Sequence, residues 1–179
     1  MPKSADPVST DAVGAVVSID SSGEVSLIAQ DQVRPHASQT DGKTAYWVAG
    51  FPSGLWRGAL DGAFSSQLAE AAEEPIALDG DAVYFREALG SGVQLKRVGR
   101  AGGNMQVVAT ADVTGLVVSS GLVRFTTGGA TPKLLEVTSG AEPTELLSLS
   151  GRVRGLALGG TTLFVLTTGE DGVSVLRAK

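Results

Sequence analysis

The residue best equipped for acid–base chemistry, His36, is the only histidine in the chain. It stands in the stretch Val33-Arg-Pro-His-Ala-Ser-Gln-Thr-Asp-Gly42, with Ser38 and Gln39 close behind it. An imidazole titrates near neutrality, and with a hydroxyl and an amide beside it could bind or protonate a polar ligand. It has no adjacent acid in sequence and no set of further metal ligands. Two readings therefore stand for His36, Ser38 and Gln39. They form a polar site, or they are the frayed strand of an exposed seam, which is the simpler reading. The second candidate is the pair Trp56 and Arg57. A tryptophan exposed beside a guanidinium is a common anchor for a binding partner.

Other chemistry is thinly supported. Asp20, Asp41, Asp61 and Asp79 each precede Gly or Ser. That is turn chemistry, in which the carboxylate caps the local backbone and glycine takes positive φ. No run of alternating acids makes a calcium loop. The chain has no cysteine, so disulfides and thiolate metal sites are ruled out. No G-x-S-x-G is present, and Gly99-Arg-Ala-Gly-Gly103 is not a dinucleotide fingerprint. No catalytic residue, metal ligand or cofactor is expected. The acidic stretch Glu70–Glu74 reads as a solvated turn. Lys96, Arg97, Arg100, Arg124, Arg152 and Arg154 cluster weakly; they read as charges that keep strand edges soluble, with binding of phosphate or an acidic partner as the alternative.

Composition narrows the partners. With a net charge of −5 and 14 scattered basic residues, the chain is poorly suited to nucleic acid. No run approaches the roughly 18 apolar residues of a membrane helix. The first ten residues carry no apolar signal-peptide core. The compartment stays open: cytoplasmic as written, cell envelope or secreted if a leader has been lost.

The elements that must position these residues come from a repeat. Four hairpin cores align: Lys43-Thr-Ala-Tyr-Trp47, Asp81-Ala-Val-Tyr-Phe85, Gly121-Leu-Val-Arg-Phe125 and Thr161-Thr-Leu-Phe-Val165. Their fourth residues, Tyr46, Tyr84, Arg124 and Phe164, are 38, 40 and 40 positions apart. A turn precedes each core: Asp41-Gly42, Asp79-Gly80, Ser119-Ser120 and Gly159-Gly160. Between Pro75 and Val113 four short apolar runs are legible, at 76–78, 82–85, 93–98 and 105–109. None is long enough for a helix, so each unit reads as four short antiparallel strands. A period near 40 residues with four strands is the signature of a β-propeller blade. An antiparallel sandwich with accidental periodicity is the alternative.

In the motifs PIALDGDAVYF…VQLKRVGRAGG and TDGKTAYW…GLWRGALDG the chain resembles bacterial propeller repeats of the YWTD and TolB-like families. The third and fourth repeats depart from the pattern, with Arg124-Phe125 and Phe164-Val165 in place of the aromatic pair. The resemblance implies a propeller, and families of that fold mostly bind proteins, peptides or sugars, with some enzymes among them. Lactonase-like propellers hold a metal with Glu, Asn and Asp in the channel. Asn104, the only asparagine here, falls in a turn, so that site is not expected.

The expectation is an all-β propeller of four blades of about 40 residues. Residues 1–11 are a flexible lead-in and 12–179 one domain. Its repeats run about 33–74, 75–113, 114–153, and 154–179 together with 12–30. Segment 15–29 matches a third and fourth strand, and the last repeat stops after a third. Glu24–Gln30 is therefore expected to complete the last blade beside Val173–Arg177, within one chain or between two copies in an eight-bladed ring. The expected function is non-enzymatic, a protein- or ligand-binding or assembly module with a homodimer as one form. A carbohydrate-binding propeller using Trp56, or an enzyme with a channel site around His36, are the alternatives.

Overall fold

The computed structural model describes residues 13–50, 53–90, 92–138, 140–169 and 172–178. The flexible lead-in expected at 1–11 lies outside them. The described chain is all β. A hairpin comes first, β1 (Val13–Ile19) and β2 (Val25–Val33). The first complete blade is β3 (His36–Thr40), β4 (Thr44–Gly50), β5 (Ser53–Ala59) and β6 (Ser65–Glu70). The second is β7 (Ala72–Asp79), β8 (Ala82–Leu89), β9 (Gly92–Gly99) and β10 (Gln106–Ala109). The third is β11 (Val113–Ser119), β12 (Leu122–Thr127), β13 (Lys133–Thr138) and β14 (Thr144–Ser148). The last holds three strands, β15 (Arg152–Gly159), β16 (Thr162–Gly169) and β17 (Gly172–Ala178). Each sheet is an antiparallel meander in chain order. The inner strands β3, β7, β11 and β15 stand side by side. These are the four β-propeller blades that the 40-residue period predicts.

Strand alternation makes each blade two-faced. On β8, Val83 and Phe85 point one way and Ala82 and Tyr84 the other. Val83 and Phe85 pack with Tyr46, Val48 and Leu55 of the first blade. Tyr84 and Leu95 pack with Val123, Phe125 and Val137 of the third. Between the third and last blades the core reduces to Leu134, Leu149, Leu163 and Val165. Burying each such large side chain contributes about 1.5–3 kcal/mol. Trp47, at the end of the first hairpin motif, is 1 % exposed.

Turns clamp the blades at the end of the row where β3 runs into β4. The Asp79 carboxylate accepts hydrogen bonds from the backbone N–H of Ser120 and Gly121, at 3.1 and 2.6 Å. Arg100 of the second blade reaches Asp41 of the first at 3.0 Å. Asp41 also accepts from the backbone N–H of Lys43 and Thr44, at 2.9 and 2.8 Å.

One expectation is corrected. Glu24–Gln30 does not pair beside Val173–Arg177 within the chain. Among the described residues β2 pairs only with β1, and β17 only with β16. The hairpin is held at the first blade instead, because Ile28 and Ala29 pack on Ala45, Trp47 and Ala49. Ser18 Oγ also donates to the Leu60 carbonyl at 2.8 Å, and Trp47 Nε1 donates to Gln32 Oε1 at 3.1 Å.

Candidate functional site

The inner strands of successive blades begin at the face opposite those clamps, and a cleft of about 960 Å³ opens there. Its walls come from the second, third and last blades. Glu73, Glu74, Arg86, Asp112, Thr127 and Arg152 supply its polar groups. β7 carries Glu73 and Glu74, and β8 carries Arg86. Asp112 stands just before β11, and Arg152 opens β15.

Arg86 ties two walls together. Its Nη1 pairs with the Glu73 carboxylate, while Nε and Nη2 reach Asp112 Oδ1 at 3.3 and 3.1 Å. The guanidinium is 21 % exposed, so it is largely committed, whereas Asp112 remains 54 % exposed. A Cβ at position 128 would lie 2.6 Å from Asp112 Oδ2, so a larger residue there would displace that carboxylate. The backbone N–H of Gly128 donates to the Asp112 carbonyl at 2.9 Å, which fixes the loop to the acid. Thr127 Oγ1 accepts from the Lys133 N–H at 3.0 Å. Arg152 is exposed and has no ion pair among the described residues. Glu74 is likewise exposed. The cleft therefore offers two walls of opposite tendency, one rich in carboxylate and one with a free guanidinium. Among the described residues no cluster of acids and histidine is arranged to hold a metal ion.

The residues singled out from sequence lie elsewhere. His36 is exposed at the start of β3, opposite Val48 on β4, and its Nδ1 lies 2.7 Å from the Arg34 carbonyl. Ser38 and Gln39 are exposed on the same strand. Trp56 is half-buried on β5, and its indole N–H donates to the Ala49 carbonyl at 3.3 Å. Arg57 is half-buried beside it. Its Nη1 donates to the Arg100 carbonyl at 2.6 Å, its Nε to Ser66 Oγ at 3.2 Å, and it stacks 5.4 Å from the Phe64 ring. Arg57 thus joins the first blade to the second, while Trp56 packs within the first blade and against the hairpin. Tyr46, also in this region, has its hydroxyl pKa raised, first by burial and then by the Asp41 charge.

Sequence reasoning missed the cleft. The signal that finds it is the repeat itself. Counting back 12 residues from Tyr46, Tyr84, Arg124 and Phe164 gives Arg34, Ala72, Asp112 and Arg152, which share one repeat position. Of the four, Asp112 and Arg152 line the cleft.

No protein-family model matches the chain, and no curated protein matches it in sequence. Solved structures do match. A chain of the nidogen/laminin complex superposes with a TM-score of 0.65 at 15 % identity, over 89 % of this chain and 68 % of that one. TolB from Acinetobacter baumannii gives a TM-score of 0.65 at 14 % identity, over 87 % of this chain and 44 % of that one. In fold, the chain resembles the YWTD and TolB-like propellers. The computationally designed Ika8 protein gives a TM-score of 0.56 at 14 % identity, over 86 % of this chain and 49 % of that one. The chain thus spans about half the length of TolB and of Ika8. At these identities the likeness speaks for the fold alone.

Proposed function

We propose that the chain is a non-enzymatic binding and assembly module, a propeller segment that takes a protein segment at its cleft and a second copy of itself at its ends. The cleft carries the reading. It is formed by three blades at once, and its charges are set out to bind rather than to move a proton. Arg86 is locked between Glu73 and Asp112, so it is poorly placed to leave them during a reaction. Glu73, Glu74 and Asp112 favour a peptide with a basic side chain, and Arg152 a carboxylate further along it. That a structural relative stands in a complex of nidogen with laminin is in keeping with this. The carbohydrate reading draws less support, because the Trp56 indole is half-buried with its N–H already bonded.

Selection from a random peptide library, run beside a glycan array, tests the proposal. Enriched peptides should be rich in Lys or Arg, and Glu74→Lys should weaken their binding at least tenfold. Glycan binding without peptide enrichment would replace this reading by the carbohydrate one.

A further inference from the structure

The same register position is treated differently in successive blades. Tyr46 and Tyr84 are 2 % and 3 % exposed, because the next blade covers each of them. Phe164, their counterpart in the last blade, is 39 % exposed, and Leu166, two residues on, is 37 % exposed. Among the described residues no further blade covers them. At the other end of the row, one face of the hairpin packs on the first blade through Ile28 and Ala29. Val13 at 62 %, Val17 at 47 %, Ile19 at 67 %, Val25 at 60 % and Leu27 at 49 % of the hairpin are exposed. The row therefore ends in two apolar surfaces, one at each end.

The strand inventory is complementary too. The last sheet stops at β17, which has a free edge, and the hairpin's β2 has one as well. In every complete blade the fourth strand pairs antiparallel with the third. β17 is a third strand, and β2 matches a fourth. The inner strands tell the same story. β7 lies between β3 and β11, and β11 between β7 and β15, whereas among the described residues β3 has no such inner-strand neighbour on its outer side. There it leaves His36, Ser38 and Gln39 exposed.

We infer that these ends are joined by a second copy of the chain, the hairpin end of each copy meeting the β15–β17 end of the other, into a closed ring of two. The inference rests on the reading of the chain as an assembly module. The contact continues one the chain already makes three times, blade on blade, and the opposite end of a second copy offers both missing halves. A head-to-tail contact closes into a ring when its rotation completes a circle, and otherwise grows into a fibre. Closure at two copies is in keeping with the overlay on 44 % of TolB and 49 % of Ika8, while the chain of the nidogen/laminin complex is overlaid over 68 %. Closure also removes the free edges, which would otherwise recruit other strands. In the ring His36, Ser38 and Gln39 lie at the seam, flanked by the partner's β15.

Light scattering on the full chain decides the matter. The expected mass is twice the 18.2 kDa of one chain, independent of concentration. A mass of 18.2 kDa, or one that climbs with concentration, overturns the ring, whatever the variants do. Two double variants then locate the seam: Phe164→Glu with Leu166→Glu, and Val17→Glu with Leu27→Glu. Each should fall to single-chain mass with its β-sheet circular dichroism intact, as expected for side chains already exposed in the single chain. Mixing the two should restore the double mass, because the mixed pair keeps one seam with both faces intact. A mixture that stays at single-chain mass overturns the assignment of these faces. A single chain that still selects basic peptides sinks the ring and leaves the cleft standing. A ring that selects none does the reverse.

Discussion

Lys96 and Glu87 form the most deeply buried ion pair among the described residues, and removing one partner gives a large, calculable effect. Their side chains are 14 % and 5 % exposed. They project from neighbouring strands, Glu87 from β8 and Lys96 from β9, and Lys96 Nζ meets Glu87 Oε2. No hydrogen bond from elsewhere reaches that oxygen. Lys96→Met would leave a carboxylate in a water-poor site without its counter-charge, a change that costs about 3–5 kcal/mol. The residual exposure of Lys96 admits some water, which places the expected loss at the lower end. For a chain of this length each kcal/mol shifts the midpoint by roughly 2–4 °C, so Tm should fall by about 6–12 °C. Replacing both partners, Glu87→Leu with Lys96→Met, removes the stranded charge along with its partner. That double variant should lie within about 1 kcal/mol of the parent, since an apolar pair of similar volume commonly matches a buried bridge. Urea titration followed by circular dichroism on all four proteins gives the cycle. The reasoning fails if Lys96→Met costs under about 1 kcal/mol, or if the two single losses simply add in the double variant.

Three further outcomes are expected. Phe85→Ala, at a position with 0 % exposure between the first two blades, should cost about 3–5 kcal/mol in urea unfolding. Gly62→Ala should destabilise by more than about 1 kcal/mol, because φ is +76° there and a Cβ would sit 2.4 Å from the Leu27 carbonyl oxygen; hydrogen exchange should show β1 and β2 loosened first. Burial pushes the Asp41 carboxyl upward, but the N–H groups of Lys43 and Thr44 and the Arg100 guanidinium outweigh it and hold its pKa below the usual value. A lowered folded-state pKa gives stability that is present above the unfolded value and lost as pH falls through the folded one. Asp41→Asn should therefore flatten the acid limb of the stability curve below about pH 4, while the parent keeps losing stability there.

The blades were legible because their demands are local. Asp79-Gly80 makes a turn wherever it stands, and Val83, Tyr84 and Phe85 alternate faces whatever lies beyond them. Period and alternation together placed β8 and β9 to within a few residues. What alternation leaves open is which body covers a face. Trp56 reads as exposed on its strand, yet the first blade and the hairpin half-bury it. The closing strand failed for the same reason. Segment 15–29 matches outer strands of a blade, and that match says nothing about whether Ile28 finds its apolar partner at Trp47 or at the far end of the row.

The cleft was hidden for a deeper reason, which concerns how repeats carry function. A position that every blade needs for folding recurs, as the turn glycines and the core of β4, β8 and β12 do. A position that serves a ligand has no reason to recur, since one ligand meets each blade at a different point. Arg34, Ala72, Asp112 and Arg152 share a register, yet they span both charges and none. Tyr46, Tyr84, Arg124 and Phe164 vary as well, but each variation is answered structurally: Arg124 pairs with Glu136 at 2.7 Å, and Phe164 stands where the row ends. At the mouth Arg86 answers Asp112, while nothing among the described residues answers Arg152. An irregularity that the fold leaves unbalanced is where a partner's charge has to be sought, and in this chain that places the search at the mouth of the inner strands.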